Sequence, residues 1–193
     1  MSTIDLGFQP SAYVVSVICG NWWQESGINP GIWEGLVVGA PGYGLGQWTG
    51  SRRTALFNWL DSEGYKRDSG SGQIAFFIHE NTWYRNGYGE NFDNLEDFLR
   101  SDSTDLQLLT YAFMQGWEGI WDGTEGIRLE AAQKCYEYIL LHSEDEPKTG
   151  FFKGNRYLTE AERLHNAVMV FRALGGKLTG GGGFPIWMMI RYH

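Results

Sequence analysis

Positive charge is scarce in this chain: 15 Lys and Arg stand against 23 Asp and Glu, for a formal net charge of −8. Nucleic-acid binding is dominated by cationic contacts to phosphate, so this balance argues against DNA or RNA as a partner. Cysteine is scarce too. Cys19 and Cys135 are the only two; they lie on apolar faces of predicted helices, suit no zinc spacing, and read as buried free thiols with no disulfide indicated. Neither a metal nor a cofactor is expected. Long apolar runs are missing, and nothing approaches the roughly 20 residues of a transmembrane helix. The opening MSTIDLGFQPS has no basic segment leading into an apolar run, so no secretory signal is read there. No internal repeat is evident.

Aromatic residues, by contrast, are plentiful. They make up 16% of the 193 residues and include nine tryptophans, within a 42% hydrophobic composition that supports one domain with a real core. Tryptophan stacks well on sugar rings but is also ordinary packing material, and most of these are assigned to the core.

The chemistry concentrates in Gly20 to Thr49, GNWWQESGINPGIWEGLVVGAPGYGLGQWT. Val15, Ile18 and Trp22 recur at helical spacing, and Glu25 is the next position on that face. Gly27 and Asn29-Pro30-Gly31 then break the helix, leaving Glu25 at its C-terminal edge. An apolar surrounding, unpaired carbonyls and the negative end of the helix dipole all disfavour a carboxylate there. Glu25 is therefore expected to hold a proton near neutral pH, as a general acid must. A solvated glutamate on the last turn of a core helix is the ordinary alternative. Further on, Gly42, Gly44 and Gly46 alternate with Tyr43, Leu45 and Gln47, and Trp48 comes next. If extended, this segment has one face bare of side chains, open to another backbone or a sugar chain; a glycine loop or a hairpin arm are the alternatives.

Glu25-Ser-Gly-Ile-Asn-Pro followed by Gly42-Tyr-Gly-Leu-Gly-Gln-Trp-Thr resembles the tail lysozymes of tailed bacteriophages. More distantly it is similar to goose-type lysozymes and soluble lytic transglycosylases. The resemblance implies a mostly α-helical, lysozyme-like single domain. It carries the catalytic acid onto Glu25 and the lining of the sugar groove onto Tyr43, Leu45 and Gln47, with Trp48 adjoining. Phe113-x-x-x-Trp117-Glu118 and Arg128-x-x-x-Ala132 extend it to about residue 140. A helix from the second half of such domains often supplies a tyrosine opposite the acid, and Tyr111 is the candidate.

Other helices are expected from Ser51 to Gly64, at about 73–84, 94–100, 105–117 behind Thr104, and 125–141. Thr159 with Glu162 forms a capping box for a last helix over 159–174. That helix resembles one that phage tail lysozymes usually carry ahead of their Glu segment. The order is then either circularly permuted or extended by an additional helix. The organisation expected is a catalytic domain over 1–176, a glycine-rich linker over 177–183, and an apolar tail over 184–193 that docks on this domain or on a partner.

The resemblance implies cleavage of the β-1,4 bond between N-acetylmuramic acid and N-acetylglucosamine in peptidoglycan, the chain's expected partner. Glu34, Asp61 and Glu118 are available as second carboxylates, and none is singled out. Without one, attack by the sugar's 6-hydroxyl gives an anhydro product, as in lytic transglycosylases; attack by water gives hydrolysis, the preferred reading. The acidic surface offers no attraction to an anionic wall. Delivery within a phage virion, made in the host cytoplasm and joined to other tail proteins through the C-terminal tail, is expected. A structural or wall-binding module with little turnover is the rival reading.

Overall fold

The computed structural model describes residues 4–145 and 149–178. The glycine run and apolar tail after Leu178 lie outside the described residues.

The chain folds around one helix. α1 (Ala12–Ser26) starts where the Ser11 side chain accepts from the Val14 amide at 3.2 Å, and stops where Gly27 turns left-handed at φ 65°. Its apolar stripe proves too narrow a description. Val14, Val17 and Cys19 are as buried as Val15, Ile18 and Trp22, so α1 is enclosed on nearly all sides. A helix so placed must satisfy its polar side chains internally. Ser16 donates back to the Ala12 carbonyl (2.6 Å), and Asn21 to that of Val17 (2.8 Å).

Around it stand α2 (Gly50–Ser62), α3 (Gly70–Glu80), α4 (Leu95–Leu99), α5 (Leu106–Phe113), α6 (Glu125–His142) and α7 (Glu160–Ala173). The structure is mostly helical, and no β-sheet forms among the described residues. Several starts differ from expectation because a nearer side chain does the capping. Asp105, not Thr104, accepts from the Leu108 amide, and Ser69 starts α3 by accepting from that of Gly72. α2 also begins earlier than expected, behind Thr49 rather than Ser51, there without a side-chain cap bond. The expected 105–117 helix ends as an α-helix at Phe113 and continues through a π-turn, Met114–Glu118, closed by Gly119 at φ 72°. That wider turn buries Trp117 beside Trp22, Phe77 and Phe113, with ring centroids 5.3–6.1 Å apart.

α5, α6 and α7 all pack directly on α1. α6 meets it at Gly20, where a Cβ would come within 2.5 Å of the Arg128 carbonyl and 2.7 Å of Ala132. α7 packs on it too: Asn166 donates to the Ile28 carbonyl at 2.8 Å, and Val168 and Phe171 are buried in the common core. The Thr159–Glu162 capping box is formed as expected. Beyond α7, Lys177 pairs with the strand-like residues ahead of α1, receiving the Ala12 amide at 3.1 Å and donating to Pro10 at 2.9 Å.

Since α7 shares the core, replacing Val168 and Phe171 together by alanine should destabilise the whole domain. Large-to-small core changes cost about 2–5 kcal/mol each. Urea denaturation should show one transition at a much lower midpoint. A second, separate transition would mean that α7 is an independent appendage.

Candidate active site

Glu25 sits on the last turn of α1, and the residue after it ties that turn to the glycine segment. Ser26 Oγ donates to the Leu45 carbonyl at 2.7 Å and accepts from the Asn29 amide at 3.3 Å. Asn29 then donates to the carbonyls of Gly154 (2.8 Å) and Arg156 (2.7 Å), pinning the loop that leads into α7. The polar residues of the Glu-Ser-Gly-Ile-Asn-Pro run are thus knots joining three remote segments.

The glycine segment is not extended. Tyr43 and Trp48 exchange backbone hydrogen bonds at 3.2 and 3.1 Å, closing a tight hairpin whose turn needs positive φ at Gly44 (75°) and Gln47 (45°). Nor is one face left bare for a sugar. The Gln73 side chain lies over Gly44, and Gly46 leaves room for the Trp117 ring. Gln73 is fully buried; it accepts from the Leu45 amide at 2.9 Å and donates to the Pro30 and Arg67 carbonyls, both at 2.7 Å. Sequence reasoning misses this clamp, because a lone glutamine early in α3 gives no signal.

Burial sorts the expected groove residues. Tyr43 is 5% exposed, Leu45 0% and Trp48 1%. Tyr43 packs against Trp33 and Phe57 (4.7 and 5.1 Å between centroids), and Trp48 against Trp117 and Phe76 (5.6 and 5.9 Å). These three side chains support the hairpin from inside. Only Gln47 of the set reaches the cleft of about 370 Å³ that also has Trp23, Glu25, Trp33, Glu34 and Tyr157 on its wall. Tyr111 is not on that wall. It packs edge-on against Tyr88 and Trp121, each 5.3 Å away, with those two rings stacked over a separate hollow of about 380 Å³.

The surroundings of Glu25 also need correction. The apolar helix end implies an unpartnered carboxyl; instead Glu25 Oε1 accepts from Arg128 Nη2 at 2.5 Å, with the side chain 23% exposed toward the cleft. Arg128, on α6, is wholly buried. Its Nη1 donates to Glu118 Oε2 at 2.6 Å and to Asn21 Oδ1 at 3.2 Å, its Nε donates to Thr124 Oγ1 at 2.8 Å, and Asp122 lies 3.7 Å away. Burial pushes the Glu118 carboxyl well above the usual range, and the charge of Glu25 adds to this while Arg128 opposes it. These carboxylates converge on a guanidinium; among the described residues no group of His, Cys, Asp and Glu is placed to hold a metal ion.

Residues 7–139, more than half of the chain, match the family model of the phage tail lysozymes. The chain belongs to the phage tail lysozyme family. Its fold is accordingly that of a lysozyme-like α domain. Morphogenesis protein 1 of Bacillus phage B103 is 41% identical over 76 residues, which is 37% of this chain and 20% of that protein. The stretch matched to the tail lysozymes contains Glu25, the hairpin, Glu118 and Arg128; α7 lies beyond it. No helix among the described residues is long and apolar enough to cross a membrane.

Within this tail lysozyme domain, Ser26→Ala should leave the buried Leu45 carbonyl without its donor. The expected loss is about 1–3 kcal/mol, read as a lower urea midpoint with an unchanged slope. An unchanged midpoint would show that the hairpin holds without Ser26.

Proposed function

We propose that this domain is a muramidase that cleaves the β-1,4 bond between N-acetylmuramic acid and N-acetylglucosamine, with Glu25 as the general acid. The observation that carries the reading is that the family's motif glutamate is the partly exposed carboxyl opening onto the cleft while its other side is held from behind. Glu25 gives its proton to the glycosidic oxygen as the bond to the anomeric carbon breaks. Gln47, at the hairpin tip, orients the sugar through its amide. The exposed Tyr157 and the partly buried Trp33 offer ring faces on the same wall.

Of the three second carboxylates open from the sequence, two are poorly placed for the cleft. Asp61 pairs with Arg67 at 3.0 Å on the surface, and Glu118 is enclosed behind Arg128. Glu34 lines the cleft, its Oε2 held by the Gly42 amide at 3.0 Å. We read it as the group that activates water, which favours hydrolysis over attack by the sugar's 6-hydroxyl. A further part of the reading is that α7, packed on α1 from outside the matched stretch, takes the place of the helix that usually precedes the acid helix, in a permuted order. The family supports a role within a virion tail, acting on the host wall, and the relative's name, a phage morphogenesis protein, is in keeping with a virion part.

Glu25→Gln keeps the shape of the site and removes the transferable proton. General acid assistance is worth about 10²–10⁴-fold, so a folded Glu25→Gln variant should bind glycan strands but release almost no soluble fragments from purified peptidoglycan. Mass spectrometry of native digests should show reducing-end muramic acid. An anhydro end, lighter by one water, would assign the second step to the 6-hydroxyl; near-native turnover by Glu25→Gln would remove the acid assignment itself.

A further inference from the structure

We propose that Glu25 and Glu118 share one proton across a seam held by Arg128, and that Glu118 is a positioning residue that supplies this proton to Glu25 before each cleavage. The proposal rests on the reading of Glu25 as the acid. Its basis is a mismatch of charge and hydrogen bonds. One buried guanidinium serves two carboxyl groups at hydrogen-bond distance, Glu25 at 2.5 Å and Glu118 at 2.6 Å, with Asp122 a third acid at 3.7 Å. One positive charge cannot balance them all in the ionised form.

The oxygens of Glu118 make the same point independently. Oε2 is taken by Arg128, but Oε1 is buried without a partner among the described residues, in a side chain only 6% exposed. A buried carboxylate oxygen with no donor carries the full cost of desolvation. A proton on Glu118, whose carboxyl interacts with that of Glu25, removes that cost and the like-charge repulsion together.

Among the described residues, Arg128 is the one cation ion-paired with either carboxyl; Arg163 of α7 lines the same cleft beside Gly27 but pairs with neither, its guanidinium lying over the Trp23 ring at 5.1 Å. α1 contributes Glu25 and the neutral Asn21, α6 contributes Arg128, and the loop before α6 contributes Asp122 and the neutral Thr124. From α2, Arg52 lies over the Trp117 ring at 4.7 Å and is engaged by both oxygens of Glu80 at 2.6 and 2.7 Å.

In the resting site the shared proton resides on Glu118. Transfer from Glu118 to Glu25 leaves Glu118 as a carboxylate stabilised by Arg128. Glu25 then donates to the glycosidic oxygen, which takes the electron pair of the breaking bond. Water later adds its oxygen to the anomeric carbon while Glu34 takes its proton; Glu34 gives that proton to solvent, and solvent returns one to the pair. Two carboxyls so coupled titrate as a unit, with one step above the ordinary range. The cleft-facing acid can then be supplied with a proton at neutral pH although Arg128 touches it.

The test is the pH dependence of peptidoglycan turnover by the full chain and by Glu118→Gln, a neutral isostere with no proton to give. The alkaline limb of the Glu118→Gln profile should move toward acid by at least about one pH unit, a tenfold loss for each unit at neutral pH and above. An unchanged alkaline limb in a folded Glu118→Gln would overturn the proposal. If in the same assay Glu25→Gln is inactive at every pH, that overturning concerns the shared proton alone; turnover by Glu25→Gln would instead sink the underlying acid assignment. Carbon-13 NMR of native protein labelled at its glutamate carboxyls guards against misfolding of the variant. Two glutamates should share a two-step titration with one step above the ordinary range. Single, independent steps within that range for every glutamate would overturn the proposal without recourse to any mutant.

Discussion

A fully buried guanidinium is the constraint on which the site depends. Arginine stays charged in a protein interior, and its planar fork holds two partners at fixed angles. Arg128 uses that fork to join the end of α1 to the π-turn after α5. Removing one partner from such a buried pair costs about 3–5 kcal/mol, because the other charge is stranded. The acid and its neighbour are therefore held in place by the same interaction that perturbs their protonation.

Much of the surrounding fold serves to bring this arginine there. The bare Cα of Gly20 lets α6 lie close enough to α1 for Arg128 to run beneath Glu25. The π-turn adds the fraction of a turn that buries both Trp117 and Glu118; such bulges are often found at functional sites. On the other side, Ser26 and Gln73 clamp the hairpin so that Gln47 faces the cleft and its neighbours face the core. The aromatic side chains serve chiefly inside, where Trp22 and Trp117 make the wall against which the hairpin and its Trp48 rest.

What is legible in the sequence is local. The helix end at Gly27, the position of Glu25 on the last turn and the Thr159–Glu162 capping box all follow from neighbouring residues, and all three are present in the structure. The groove reading of Tyr43, Leu45 and Trp48 meets a different geometry, because alternating glycines suit a tight hairpin as well as an extended strand. The hairpin puts consecutive side chains in other directions, and Gln73 and Trp117 occupy the space the glycines leave. The Glu25–Arg128–Glu118 seam is out of reach for another reason. It joins positions 103 and 10 residues apart, and nothing in local spacing says that they meet. Glu118 and Arg128 both fall within the looser family likeness, which by itself gives neither of them a partner.

The central claim is that Arg128 organises the site through the fork of its guanidinium and not through its charge alone. Its most direct test is the turnover of peptidoglycan by Arg128→Lys, with folding checked by circular dichroism and urea denaturation. Lysine keeps the positive charge but cannot hold two carboxyls in fixed geometry, so a folded variant should lose at least about tenfold in turnover. Native turnover by folded Arg128→Lys would contradict the account.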